Sequence, residues 1–116
     1  MELLVLFFQL LIGHAVGDFV LQPPAMSRGK NPRNDLRAEF GEGFPGWQYW
    51  LSAHALTHAG IVYIITGSIQ LALLETVLHG LIDIGKCLKR YSIHTDQILH
   101  LMSKVLYCVL LYAGLL

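Results

Sequence analysis

Charged side chains are scarce in this chain of 116 residues: lysine, arginine, aspartate and glutamate together make up only 14% of it. A globular domain in water usually has about 25%. The chain also lacks an excess of one sign, because eight basic residues balance eight acidic ones. A nucleic-acid partner, which requires a basic excess, is therefore excluded. Hydrophobic residues make up 54% of the chain, which excludes disorder. We expect the surrounding solvent to be a lipid bilayer.

Cysteine is nearly absent. The two thiols, Cys87 and Cys108, lack the close spacing of paired metal ligands and define no disulfide framework. We expect both to be small apolar packing residues.

Four apolar windows have the length of membrane-spanning helices, which need about 20 residues to cross ~30 Å of hydrocarbon. They cover residues 2–21, 47–65, 69–88 and 93–116. One such window could be a buried helix of a water-soluble protein, but four in succession leave no surface for water. The sequence predicts a single all-α domain, residues 1–116, folded as a four-helix transmembrane up-down bundle. Pro23-Pro24 should end the first helix, and several glycines should keep the loop over residues 22–46 irregular.

The orientation of the bundle follows from its loops. Seven of the eight Lys and Arg residues lie in two segments, 22–46 and 86–92, which face the same side of such a bundle. The opposite side has none. By the positive-inside rule, both segments should be cytoplasmic, and both termini should lie outside the cytoplasm, across the inner membrane. The sequence leaves open whether the unit forms a homo-oligomer.

Ionisable side chains inside the predicted spans are the most informative feature, since such residues are costly in hydrocarbon and often functional. They recur four residues apart, so each span presents them on one helix face. All but Glu75 lie near the cytoplasmic ends of their helices. The nine residues are His14, Asp18, His54, His58, Glu75, His79, Asp83, Asp96 and His100.

Polar packing between helices would explain any one of these histidines. It does not explain five of them beside several carboxylates at one depth. Imidazole and carboxylate together ligate Zn²⁺, with Mn²⁺ or Fe²⁺ as alternatives, and helix bundles build such sites from facing helices. Eight candidate ligands are more than one metal ion needs. Either two ions are bound, or one ion is bound and the remaining residues form hydrogen bonds to its ligands. The predicted metal ligands are His14, Asp18, His54, His58, His79, Asp83, Asp96 and His100.

Glu75 and Lys104 should lie at one depth on antiparallel helices, below these ligands. An ion pair between them would explain both residues. The alternative is that Glu75 is itself a metal ligand.

Four ordered motifs resemble those of a small family of bacterial and phage membrane proteins of unknown function. They are His14-x-x-Gly17-Asp18-Phe19-x-Leu21-Gln22, His54-x-x-x-His58, His79-x-x-Ile82-Asp83-x-x-Lys86 and Asp96-Gln97-x-x-His100. Lys30 also matches this family. The resemblance implies a compact helical membrane domain and no established activity. A looser similarity, in residue types alone, is to membrane-bound metal-dependent hydrolases.

Three functions fit these observations. The first is a metal-dependent hydrolase of an amphiphilic substrate, lipid or phosphate-bearing, with Asp96 or Asp18 as general base and Lys86 at the site entrance to hold a phosphate. The second is a module that binds or transports divalent cations or protons, but its path should continue to the outer face, where the spans are apolar. The third, a structural or lysis-related phage membrane protein, leaves the polar cluster unexplained.

Overall fold

The computed structural model describes residues 2–116, and this part of the chain is all-helical, as predicted. Four long helices coincide with the four apolar windows, and they are joined by shorter elements. The elements are α1 (Leu3–Ala15), a π-helical turn (Val16–Val20), α2 (Pro24–Gly29), α3 (Arg37–Phe40), α4 (Trp47–Thr66), α5 (Ile69–Cys87) and α6 (Ile93–Tyr112).

The four long helices close into a ring. Helix α5 packs between α4 and α6, and α1 packs against both α4 and α6. Short connections make sequential neighbours antiparallel. Gly67 ends α4 with a left-handed φ of 69°, which glycine adopts without strain. Ser68 and Ser92 then begin α5 and α6, because each hydroxyl accepts a hydrogen bond from a backbone N–H of the first turn.

The connection between α1 and α4 is more ordered than the sequence predicted. It contains the two short helices α2 and α3. Pro24 does not end the first helix, which already ends at Val20, but stands in the first turn of α2. Proline suits that position because its missing N–H would have no partner there. Helix α2 lies against α4, where Gly29 packs so closely on Trp50 that a Cβ would come within 2.5 Å of the indole ring.

The bundle is polar inside and apolar outside around its midsection. Large aliphatic side chains point away from it; Ile64 is 82% exposed and Leu4 is 70% exposed. Histidines and carboxylates instead point inward. An apolar core fills the far end of the ring and consists of Leu6, Leu10, Val62, Leu71, Tyr107 and Cys108. Both cysteines are free and buried.

One helical stretch, Leu3–Val20, is long and apolar enough to cross a membrane. Helices α4, α5 and α6 have a similar length, 20, 19 and 20 residues. Their inward ionisable side chains lower their mean hydropathy. The four-span topology therefore remains a prediction at this point.

Candidate metal centre

The π-helical turn places Asp18 inside the ring. The backbone N–H of Leu21 donates to the Val16 carbonyl at 2.8 Å, five residues back, which widens the helix locally. Such turns occur mostly as single insertions and often at functional sites. Gly17 allows the neighbouring helix to approach, because a Cβ there would lie 2.5 Å from Cε1 of His58. The glycine of the first motif is therefore required by close packing against a histidine of the second motif.

The structure brings all eight residues of the predicted ligand set into one buried cluster, which we call the His/Asp cluster. Every member is at most 7% exposed. Each long helix contributes: α1 and its π turn supply two residues, as do α4, α5 and α6. The members are His14, Asp18, His54, His58, His79, Asp83, Asp96 and His100.

Three imidazoles surround one oxygen of Asp18. The Nε2 atoms of His54, His58 and His79 lie 3.1, 2.9 and 3.4 Å from Asp18 Oδ1. The Nε2 atoms of His54 and His79 are 3.1 Å from each other. All three rings thus direct the same nitrogen toward a common point beside Asp18.

Asp83 is shared in a similar way from α5. Its Oδ2 lies 3.3 Å from Nε2 of His54 and 3.6 Å from Nε2 of His79. Its Oδ1 accepts a hydrogen bond from Nε2 of His100 at 3.0 Å. The same His100 nitrogen lies 3.4 Å from Oδ1 of Asp96.

These spacings are compatible with a bound cation as well as with hydrogen bonds. Two ligand atoms of a tetrahedral ion with bonds of ~2.0 Å lie about 3.3 Å apart, and an octahedral ion brings adjacent ligands closer. The Nε2 atom of His58 and the Oδ1 atom of Asp96 are buried beside polar neighbours but make no well-directed hydrogen bond, and three Nδ1 atoms of the cluster also lack a partner. Buried polar atoms without partners are rare and call for an explanation. The donor set and these atoms show that the cluster could hold a divalent metal ion.

Two polar residues beside the cluster were not assigned a role from the sequence. The Gln97 amide donates to Asp18 Oδ2 at 3.0 Å, and its carbonyl oxygen accepts from His14 at 2.9 Å. The Gln22 amide donates to the Asp18 backbone carbonyl at 2.8 Å. Both glutamines lie in motifs of the family resemblance, and that was the signal in the sequence that could have identified them. Together they hold Asp18 and His14 in place.

Lys30 is the lysine that reaches the cluster. Its ammonium donates to Asp83 Oδ2 at 2.6 Å, and its side chain is only 3% exposed. In the sequence, Lys30 is one of several charges of the predicted cytoplasmic loop, and only the family resemblance singled it out. Helix α2 corrects that interpretation, since Lys30 directly follows it and is carried inward by its packing on α4.

Lys86, expected at the site entrance, is half-buried one turn beyond Asp83, and its role remains a prediction. Near it, Tyr91 folds back from the α5–α6 connection, and its hydroxyl donates to the Ile82 carbonyl. Burial raises the pKa of the Tyr91 hydroxyl above its ordinary value. The tyrosine thus remains a neutral donor that closes this end of the bundle.

A second polar layer lies below the cluster and is centred on Glu75. Its Oε1 accepts from the Lys104 ammonium at 2.7 Å, so the predicted ion pair is confirmed. The same oxygen lies 3.1 Å from Nδ1 of His79, and Oε2 accepts from the Tyr107 hydroxyl at 2.5 Å. Glu75 therefore touches a candidate ligand from behind. A carboxylate in that position fixes the imidazole so that its other nitrogen faces the metal.

Tyr107 was not predicted as part of this layer. It lies three residues after Lys104, on the same face of α6, and that spacing was the indication available in the sequence.

Comparisons with known proteins add one finding. No curated protein and no solved structure matches this chain. The family model DUF3307, described as a protein of unknown function, matches residues 6–114, which include all four motifs and the whole cluster. The expectation of an uncharacterised family is confirmed, and the chain belongs to the DUF3307 family.

Proposed function

We propose that this protein is a membrane-embedded, metal-dependent hydrolase that acts on an amphiphilic, phosphate-bearing substrate near the cytoplasmic face. The observation that carries the proposal is the buried convergence of five histidines and three aspartates from all four long helices. Structural packing has no need for such a set. Several of its buried ligand atoms, including His58 Nε2 and Asp96 Oδ1, also make no well-directed hydrogen bond within the protein.

The distribution of side chains supports a four-span membrane protein. Helices of 19 or 20 residues match the ~30 Å of a hydrocarbon layer. Their outward faces are apolar, as a lipid-facing surface requires. The inward lysines are each paired with a carboxylate, Lys30 with Asp83 and Lys104 with Glu75. Paired charges facing the bundle interior are the form in which ionisable residues occur within membranes.

A divalent ion would supply the Lewis acid, and it lowers the pKa of a bound water to about 7. Zinc suits the mixture of imidazole and carboxylate, with manganese or iron as alternatives. Asp96 is the better candidate for the general base, because its Oδ1 has no hydrogen-bond partner. Asp18 is engaged by three imidazoles and a glutamine, so it serves better as a ligand.

The cations near the cluster support a substrate with a phosphate group. Once a metal ion shares the Asp83 carboxylate, the Lys30 ammonium can turn toward a substrate anion. Lys86, Lys89 and Arg90 lie at the same end of α5, and the last two are exposed. An amphiphile lying in the bilayer would bring its head group to this end, where the positive-inside rule locates the cytoplasm.

The apolar core at the far end favours hydrolysis over transport. Beyond the Glu75 layer, the ring is filled by Leu6, Leu10, Val62 and Leu71, each at most 7% exposed. A proton or cation path would require polar groups to continue through this region. The polar residues instead form a site that is closed on one side. A structural or lysis-related function would leave the cluster without a role.

Metal analysis and turnover of the detergent-purified protein test the proposal. We expect bound zinc, manganese or iron, and metal-dependent release of phosphate or alcohol from a short-chain lipid phosphate. Asp96→Asn should lower kcat strongly with little effect on metal content. The matched control is His94→Ala on the same helix, because His94 is exposed outside the cluster. A protein that binds no divalent ion would refute the proposal.

Topology needs a separate measurement. A cysteine introduced at exposed Ser27 should react with an impermeant maleimide only from the cytoplasmic side. The native thiols are buried and should give little background. Labelling of position 27 in intact cells would reverse the proposed orientation.

A further inference from the structure

The two oxygens of Asp18 face different histidines, and so do the two oxygens of Asp83. Asp18 Oδ1 faces His54, His58 and His79, whereas Asp18 Oδ2 lies 3.4 Å from Nε2 of His14. Asp83 repeats the division from the opposite helix. Its Oδ2 faces His54 and His79, whereas its Oδ1 faces His100.

The remaining ligands sort with these oxygens into two sets. The first, the A group, consists of His54, His58 and His79, whose Nε2 atoms converge on Asp18 Oδ1. The second, the B group, consists of His14, Asp96 and His100. The rings of His14 and His100 lie 5.0 Å apart, and Asp18, Asp96 and His100 offer ligand atoms within 4.8 Å of one another. His14 also offers a ligand atom within 4.8 Å of those of Asp18, His58 and His79, so it lies next to the A group. Each group contains buried atoms without a hydrogen-bond partner, among them His58 Nε2 in A and Asp96 Oδ1 in B.

We propose that the cluster holds two divalent ions, one in each group, bridged by the carboxylates of Asp18 and Asp83. This rests on the proposed metal function and specifies its stoichiometry. A carboxylate that directs one oxygen to each of two ions holds them about 3.5–4 Å apart, the separation found in two-metal hydrolytic sites. Ion A would have three imidazoles and two bridging oxygens. Ion B would have two imidazoles and two bridging oxygens, with the Asp96 carboxylate beside it as the general base.

The charge of the filled centre identifies the class of ligand it would take. The four buried carboxylates, Asp18, Glu75, Asp83 and Asp96, lie with two buried ammonium groups, Lys30 and Lys104. With neutral histidines their formal sum is minus two, so one divalent ion neutralises the site. A second ion leaves it at plus two in a low-dielectric interior, where an uncompensated charge is costly. A phosphate dianion compensates that charge, so the two-ion state should favour a phosphate monoester.

Counting ions in defined variants tests the stoichiometry. The metal-free protein in detergent would be titrated with Co²⁺ or Mn²⁺, with bound metal measured by mass spectrometry and calorimetry. We expect two ions per chain, and a spin-coupled signal in the manganese form. His58→Ala in the A group and His100→Ala in the B group should each retain one ion and lose the coupling. His94→Ala should behave as wild type, and helical circular dichroism reports folding of every variant.

The outcomes separate this inference from the proposed function. A single ion in the wild-type protein would overturn the two-ion centre and leave the metal-dependent function standing. No ion at all would overturn both. Two ions that are both lost in each single variant, with the fold retained, would contradict the division into A and B groups.

Inorganic phosphate tests the charge argument. Phosphate should tighten binding of the second ion at least tenfold in wild type and should have little effect on the single ion retained by His58→Ala or His100→Ala. Equal phosphate binding to the one-ion and two-ion forms would refute a phosphate site that depends on both ions.

Discussion

The Glu75–Lys104 pair offers the sharpest test of the layer below the cluster. The two groups lie 2.7 Å apart, and each side chain is 1% exposed. We predict that Glu75→Gln and Lys104→Met will each destabilise the protein strongly, and that the double variant will be more stable than either single one. Glutamine preserves an acceptor for His79, so the comparison isolates the charges.

The magnitude follows from the separation of the two charges. At 2.7 Å, two unit charges in a medium of effective dielectric constant ~20 attract by about 6 kcal/mol. Much of this offsets the cost of removing both groups from water. Losing one partner leaves the other uncompensated and should cost ~3–5 kcal/mol. Removing both charges also removes both desolvation costs, so the double variant should lie within about 2 kcal/mol of wild type.

Unfolding in mixed detergent micelles, followed by tryptophan fluorescence, measures these free energies. The matched control is the exposed pair Arg28–Glu39, whose atoms lie 2.9 Å apart but whose side chains are 56% and 53% exposed. Its single variants should cost less than about 1 kcal/mol. If the double Glu75→Gln, Lys104→Met variant loses as much stability as the two single variants together, the charges do not interact and our reasoning is wrong.

Three further predictions concern the site and its surroundings. Gly17→Ala should displace His58, which packs on that glycine. We expect metal affinity to fall at least tenfold and the free energy of unfolding to fall by ~1–3 kcal/mol. Gly60→Ala is the control, because a Cβ there meets open space, and it should change neither quantity. Lys30→Met should strengthen metal binding and weaken phosphate binding, both measured by calorimetry, because the substitution removes a cation next to Asp83. Lys86→Met is the control and should leave metal binding unchanged. Weaker metal binding in Lys30→Met would contradict the proposed role of Lys30. A cysteine at Ile64, which is 82% exposed, should resist a water-soluble maleimide in liposomes and react in detergent, and equal labelling in both would argue against a lipid-facing α4.

Much of the architecture could be predicted from the sequence because it depends on local periodicity. Four apolar windows of helical length, separated by turn residues, determine four long helices. Histidines and carboxylates four residues apart must share one helix face. Because neighbouring helices are antiparallel, counting residues from the helix ends places those faces at one depth. The eight cluster residues and the Glu75–Lys104 pair could therefore be predicted. Short connections leave few other ways for such helices to pack.

Other features depend on contacts between distant parts of the chain, which periodicity does not encode. In the sequence, Lys30 is indistinguishable from the other charges of its loop. In the structure, α2 packs on α4 and brings the Lys30 ammonium to Asp83. The π-helical turn Val16–Val20, which contains Asp18, has no signature in the periodicity of the sequence. The assignment of each oxygen of Asp18 and Asp83 to a ligand group is decided by the relative rotation of all four helices. The sequence by itself therefore determined which residues share a face and a depth, and the tertiary structure alone decided which atoms meet, because side-chain chemistry is local and interatomic distances are set by packing.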